Sequence, residues 1–167
     1  QDACEVEIGK VKRPIGKQDQ YSESYGGFNY IQFNSDESVI VEPIRMKDST
    51  QKRLQENILL LYTGATGTSS KVLSEQKKSV ESQSDKQLLM SKMAKLAREM
   101  RDVLRLNKVD SFGELLHENW MLKKSLAKGI TNPAIDKWYN LGIKNGAIGG
   151  KICGAGGRGF LLLYAPK

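Results

Sequence analysis

The stretch Gly149-Gly150-Lys151-Ile152-Cys153-Gly154-Ala155-Gly156-Gly157-Arg158-Gly159-Phe160-Leu161-Leu162-Leu163-Tyr164 constrains this chain more than any other. Half of the 16 glycines lie between Gly142 and Gly159. Glycine loses more backbone entropy on folding than any other residue, so such density marks a backbone that turns sharply or comes close to a ligand. Short apolar runs, Ile148 to Cys153 and Phe160 to Tyr164, flank the glycines. The reading is strand, glycine loop, strand.

Gly154, Gly156 and Gly159 also satisfy the spacing GxGxxG. A dinucleotide fingerprint needs a helix directly after the loop, inside a βαβ unit, whereas Phe-Leu-Leu-Leu-Tyr reads as a strand. A Walker loop needs Lys-Ser or Lys-Thr after its last glycine, and neither follows here. Two readings remain: a glycine hairpin whose amides face an anion, as in backbone nests, or a tight, twisted turn with no ligand.

A chain of 167 residues provides one domain, or one and a part, with a real core. With 39% hydrophobic and 27% charged residues it has a soluble globular composition. No apolar run approaches the ~20 residues of a membrane helix, and the acidic first residues lack the features of a signal peptide. A net charge of +7 favours anionic partners such as phosphorylated metabolites or nucleotides. The basic residues are scattered, with Lys77-Lys78 and Lys123-Lys124 as isolated pairs, so nucleic acid is not expected as a partner. Cys4 and Cys153 fit no metal or redox spacing and read as free thiols of a reducing cytoplasm, Cys153 as a small apolar strand residue. With a single histidine, no His-based metal site is expected.

Taken in order, Ala3 to Val11 reads as a helix stopped by Lys12-Arg13-Pro14. Gln18 to Tyr25 is a short helix ended by Gly26-Gly27, and Asn34-Ser35-Asp36 joins strands 28–34 and 39–44 in a hairpin. Met46 to Gln55 reads as a connecting helix, and Asn57 to Thr63 as a strand buried on both faces. The next helix is capped by Thr68, Ser69 or Ser70. Asp85 to Leu106 carries an amphipathic stripe through Leu89, Met93, Leu96, Met100 and Leu104, and Asn107 ends it. Ser111 and Glu114 form a capping box for a helix reaching Leu126. His117, beside its apolar stripe, reads as a helix-surface or hydrogen-bonded core residue. Asn132-Pro133 starts a last helix that Asn145-Gly146 stops. The order from Asn57 onward fits helices on one face of an antiparallel sheet, an α+β layer.

Four stretches, in this order, resemble the GHMP small-molecule kinases, and among them the bacterial sugar kinases acting on D-glycero-D-manno-heptose 7-phosphate. They are Gly16-Lys17-Gln18-Asp19-Gln20, Tyr25-Gly26-Gly27-Phe28-Asn29-Tyr30, Tyr62-Thr63-Gly64 with the serines after it, and the C-terminal glycine motif. Leu115-Leu116-His117-Glu118 and Trp120 extend the match over nearly the whole chain. The resemblance implies an α+β, ferredoxin-like layer at residues 55–167, with residues 1–54 as the remainder of a preceding kinase domain. It implies transfer of the ATP γ-phosphate to a hydroxyl of a heptose 7-phosphate-like sugar, with Asp19 as base and Lys17 neutralising charge in the transition state. Gln18, Thr63, Gly64, Gly154, Ala155, Gly156, Gly157 and Arg158 would bind substrate or phosphate. ATP and Mg²⁺ would be the cofactors, Mg²⁺ held mainly by an N-terminal half whose Pro-x-x-x-Gly-Leu-Gly-Ser-Ser-Ala loop this chain lacks, so that the chain alone is nearly inactive. Neither nucleic acid nor membrane would be a partner, and the location would be cytoplasmic. Two positions depart from the branch: Gly67 stands where it carries arginine, and Arg158 where it carries glycine. These departures leave a second reading, a non-catalytic phosphosugar-binding or regulatory module with the same fold.

Overall fold

The computed structural model describes residues 2–12, 15–67 and 70–166. The chain divides into two compact units, residues 1–45 and 46–167.

In the first unit a helical turn, α1 (Asp2–Cys4), runs directly into π-helical Glu5–Lys10. Helix α2 (Gln18–Tyr25) ends where Gly26 takes φ 61°, a conformation open to glycine without steric cost, and its N–H closes on the Ser22 carbonyl. Strands β1 (Asn29–Phe33) and β2 (Val39–Pro43) pair antiparallel, Asn29 opposite Pro43 and Phe33 opposite Val39. The turn between them is locked by Asp36, whose Oδ1 accepts from the Ser38 amide at 3.0 Å and hydroxyl at 2.6 Å. The stop expected at Arg13-Pro14 lies outside the described residues.

The second unit contains α3 (Asp48–Asn57), β3 (Ile58–Tyr62), α4 (Ser70–Ser82), α5 (Ser84–Arg105), α6 (Val109–Lys124), α7 (Pro133–Lys144), β4 (Gly149–Ile152) and β5 (Phe160–Tyr164). Its sheet has the order β3-β5-β4, antiparallel throughout. Helices α4 to α7 and the sheet enclose one core, in which Val72, Trp120, Ile135 and Tyr139 meet Ile152, Leu161 and Leu163. Each such large side chain taken from water contributes roughly 1.5–3 kcal/mol. The α+β architecture is therefore the one expected from the order of elements.

Two local expectations need correction. The run Ile58–Tyr62 is not buried on both faces: among the described residues β3 pairs only with β5, and Leu59 to Tyr62 are 40–55% exposed. Leu59, Leu61 and Tyr62 line an open apolar groove of about 430 Å³ with Trp138 and Leu141 of α7. A continuous apolar run signals a strand, but its position in the sheet decides what covers it. Helix α6 begins at Val109, so Ser111 and Glu114 lie inside it and form no capping box. Asn107 turns the chain at φ 60°, and the helix restarts two residues later on the buried Val109. Helix α3, which spans the boundary expected at 54/55, is tied into the second unit. Asn107 Oδ1 accepts from the Lys47 amide at 3.0 Å and the Thr50 hydroxyl at 2.7 Å, and Arg53 pairs with Asp110 at 2.7 Å. Thr68 and Ser69, considered as caps of α4, lie outside the described residues, and Ser70 is its first residue.

Candidate functional site

The β4–β5 hairpin turns through Cys153 to Gly159, as the glycine pattern predicts. Gly154, Gly156, Gly157 and Gly159 all take positive φ, between 74° and 113°. At Gly156 there is a second reason for glycine, since a Cβ would stand 2.6 Å from the Ile130 carbonyl oxygen. The loop is pressed against the segment before α7. The Gly157 amide donates to the Ile130 carbonyl at 2.8 Å, and the Asn132 side-chain amide donates to the Gly157 carbonyl at 3.2 Å. Asn132 also caps α7, its Oδ1 accepting from the Ala134 and Ile135 amides. One side chain thus fixes a helix start and a loop carbonyl together. We expect Asn132→Ala to cost about 1–2 kcal/mol, read as a lower denaturant midpoint at unchanged m-value.

The turn after β3 closes on the same loop. Thr63 donates from both its amide and its hydroxyl to the Gly159 carbonyl, each at 2.9 Å, and the Gly159 amide donates to Ala65 at 3.2 Å. Gly64 follows with φ 74°. The turn after β3 and the Arg158–Gly159 end of the loop are therefore neighbours in space. Within the loop the amides of Gly154, Ala155 and Arg158 make no hydrogen bond among the described residues. Amide donors without internal partners, carried on successive glycine-rich positions, are suited to an anion.

The two departures noted in the sequence meet here. The Arg158 guanidinium lies beside Gly67, where a Cβ would overlap its Nη1, and it donates to the Thr66 carbonyl at 3.4 Å. Gly67 itself takes φ 144°. The space that a side chain at position 67 would need is filled by the arginine from position 158.

Cys153 is exposed at the end of β4, not an apolar strand residue, because the strand ends at Ile152. His117 of α6 shares a 2.6 Å hydrogen bond with the Tyr139 hydroxyl and stacks on its ring. Burial pushes that hydroxyl up to about 12, so it keeps its proton. His117 is thus a hydrogen-bonded, partly buried residue of the helix layer.

Lys17, Gln18 and Asp19 belong to the first unit. Lys17 precedes α2, and its Nζ is 3.2 Å from Glu37, so its ion pair is with the hairpin and not with Asp19. Asp19 sits in the first turn of α2, exposed. Gln20, one residue on, is 8% exposed, and its Oε1 has no partner among the described residues. With Tyr21, Ser24 and Ser38 it lines a polar cleft of about 350 Å³. Among the described residues no group of three or more His, Cys, Asp or Glu side chains could hold a metal ion. No helix among them is long and apolar enough to cross a membrane.

The second unit is an α+β layer whose β4–β5 hairpin is rich in glycine. Residues 93–166 match the family model of the C-terminal domain of GHMP kinases. The D-glycero-alpha-D-manno-heptose 7-phosphate kinase of Campylobacter jejuni is 31% identical over 162 residues, 97% of this chain and 48% of the kinase. The L-fucokinase/L-fucose-1-P guanylyltransferase of Bacteroides fragilis is 31% identical over 153 residues, 90% of this chain and 16% of that protein. Among solved structures, a D-glycero-D-manno-heptose 1-phosphate kinase from Bacteroides thetaiotaomicron superposes with a TM-score of 0.67 at 26% identity. It covers 98% of this chain and 42% of its own length. The chain spans about half the length, or less, of the relatives it matches.

Proposed function

We propose that this chain is the C-terminal part of a sugar-phosphate kinase, which transfers the γ-phosphate of ATP to a hydroxyl of a heptose phosphate. The observation that carries the reading is the loop of partnerless amides at Gly154, Ala155 and Arg158, bound to the turn after β3 through Gly159. Kinase relatives aligned over nearly the whole chain support it against a purely binding or regulatory module.

In this reading the loop amides, with Thr63 and Gly64 behind them, orient a phosphoryl group and stabilise its charge without reorganisation. Arg158, held at Thr66, adds a planar cation suited to phosphate oxygens. Asp19 takes the proton of the attacking hydroxyl, Gln18 lies beside the acceptor, and Lys17 offsets negative charge. ATP supplies the phosphoryl group when bound. The described residues present no ligand set for Mg²⁺, which is assigned to the part of the kinase outside this sequence. Residues 1–45 are read as the end of the preceding kinase domain.

The test is a coupled ADP-release assay on the full-length gene product, with heptose 7-phosphate and heptose 1-phosphate as acceptors. ADP release that depends on one of these sugars is the expected result, and its absence with both removes the assignment. In the same assay Arg158→Ala should raise the KM of the sugar phosphate or of ATP about tenfold, the worth of a charged hydrogen bond. The exchange Gly67→Arg with Arg158→Gly should recover most of that loss, because the two positions share one space. Gly67→Arg alone should not, since both side chains then compete for it.

A further inference from the structure

Two lysines beside the glycine loop are not used by this reading. Lys151 is the third residue of β4, opposite Leu162, and Lys123 lies in the last turn of α6. Both are partly buried. The Lys123 ammonium donates to the Gly154 carbonyl at 2.6 Å, within the loop itself. The Lys151 ammonium has no hydrogen bond or ion pair among the described residues. No carboxylate is paired with either.

A cation drawn out of water needs a counter-charge, and two such cations side by side need one more. The carbonyl of Gly154 offers Lys123 only a neutral partner. Burial, and then the charge of Lys151, bring the Lys123 ammonium down to about 8, and burial also lowers Lys151. The titratable groups that face the pair are each other and the Cys153 thiol. The neighbouring amides of Gly154 and Ala155 are donors without partners among the described residues. Among the described residues neither ammonium has an anionic partner at this loop.

We propose that Lys123 and Lys151 form a two-cation clamp that holds a phosphoryl dianion against the glycine loop. The clamp rests on the reading of that loop as a phosphate site and adds to it the two residues that supply full charge. Lys123 has a second task, since its bond to the Gly154 carbonyl ties the end of α6 to the loop. The dianion belongs either to the nucleotide or to the sugar phosphate.

The experiment is calorimetric titration of the full-length protein with inorganic phosphate, ADP and heptose 7-phosphate in turn. Lys123→Met, Lys151→Met and Lys151→Arg are compared with the wild type, with ADP release measured alongside. Each Met variant should weaken one phosphate ligand by about ten- to a hundredfold, the worth of a charge-assisted hydrogen bond. Lys151→Arg should keep most of the affinity. Loss confined to ADP assigns the clamp to the nucleotide, and loss confined to the sugar phosphate assigns it to the acceptor.

A pH series separates charge from packing. Phosphate monoesters are already mostly dianionic above about pH 7, so a change between pH 7.5 and 9 comes from the protein. Lys123 is protonated below about 8. Wild-type affinity should therefore be full below that pH and fall above it, and Lys123→Met should lose this step. Affinity that is flat over this range in the wild type overturns the clamp even if a variant fails to fold. So do folded Met variants that bind all three probes as the wild type does. If the lysines govern phosphate affinity while the wild type releases no ADP, the clamp stands and the kinase reading falls. Normal ADP release and affinity in both Met variants give the reverse.

Discussion

Asp19→Asn in the full-length protein should lower turnover by about three orders of magnitude, within the range of a lost general base, while the Kd for ATP stays within about twofold of the wild type. The side chain is well placed for a clean test. It is exposed in the first turn of α2, and only its backbone carbonyl is engaged, by the Ser22 hydroxyl at 3.0 Å. The neighbouring cation, Lys17, is paired with Glu37, so removing the Asp19 charge breaks no ion pair. Asparagine keeps the shape, and the lost interaction with the helix N-terminus costs at most about 1 kcal/mol. Stability and chemistry therefore separate: the unfolding midpoint should hardly move, and a loss of turnover can be assigned to the reaction. Single-turnover phosphoryl transfer, measured with ATP binding on the same samples, decides it. Turnover at the wild-type level takes the base role away from Asp19.

Elements with a local cause were legible in the sequence. Helix α2 ends at Tyr25 because Gly26 can take positive φ, and α7 begins at Pro133 because Asn132 caps it. The glycine hairpin followed from two apolar runs and the residues between them, and β4 and β5 pair as that pattern requires. What failed depended on distant residues. The exposure of β3 is set by its place at the edge of the sheet, beside β5 alone. The start of α6 is set by Asn107, whose side chain is held by Lys47 and Thr50. At the candidate site, the glycine motif announced itself and the Thr63-Gly64 turn was found through resemblance. The meeting of Arg158 with the turn before Gly67 spans 92 residues of chain, and no periodicity carries it. Lys123 was one of a scattered basic pair until α6 laid it against Gly154, 31 residues on.

The glycines themselves divide in a way that only packing explains, and Gly149→Ala should be the most disruptive of them. Gly149 opens β4 opposite Tyr164, where the backbone of α6 comes closest to the sheet. A methyl group at this position would overlap the Gly113 carbonyl oxygen and stand 2.9 Å from the His117 amide nitrogen. Both are backbone atoms of one helix, so no rotamer can move them aside, and the whole of α6 must back away from β4. That helix carries Trp120, which is 0% exposed at the centre of the core. Overpacking of this kind costs about 3 kcal/mol or somewhat more when backbone must shift, which corresponds to a fall in Tm of roughly 10 °C for a unit of this size. Gly142→Ala meets only the Leu163 side chain, at 2.6 Å, which can change rotamer, and should cost about half as much. Gly16→Ala meets nothing within 4 Å and should leave the midpoint within about 0.5 kcal/mol of the wild type. Thermal and urea unfolding of the three variants gives the order directly. Because α6 also bears Lys123, a Gly149→Ala protein that still folds should lose phosphate affinity together with stability, whereas Gly16→Ala should lose neither.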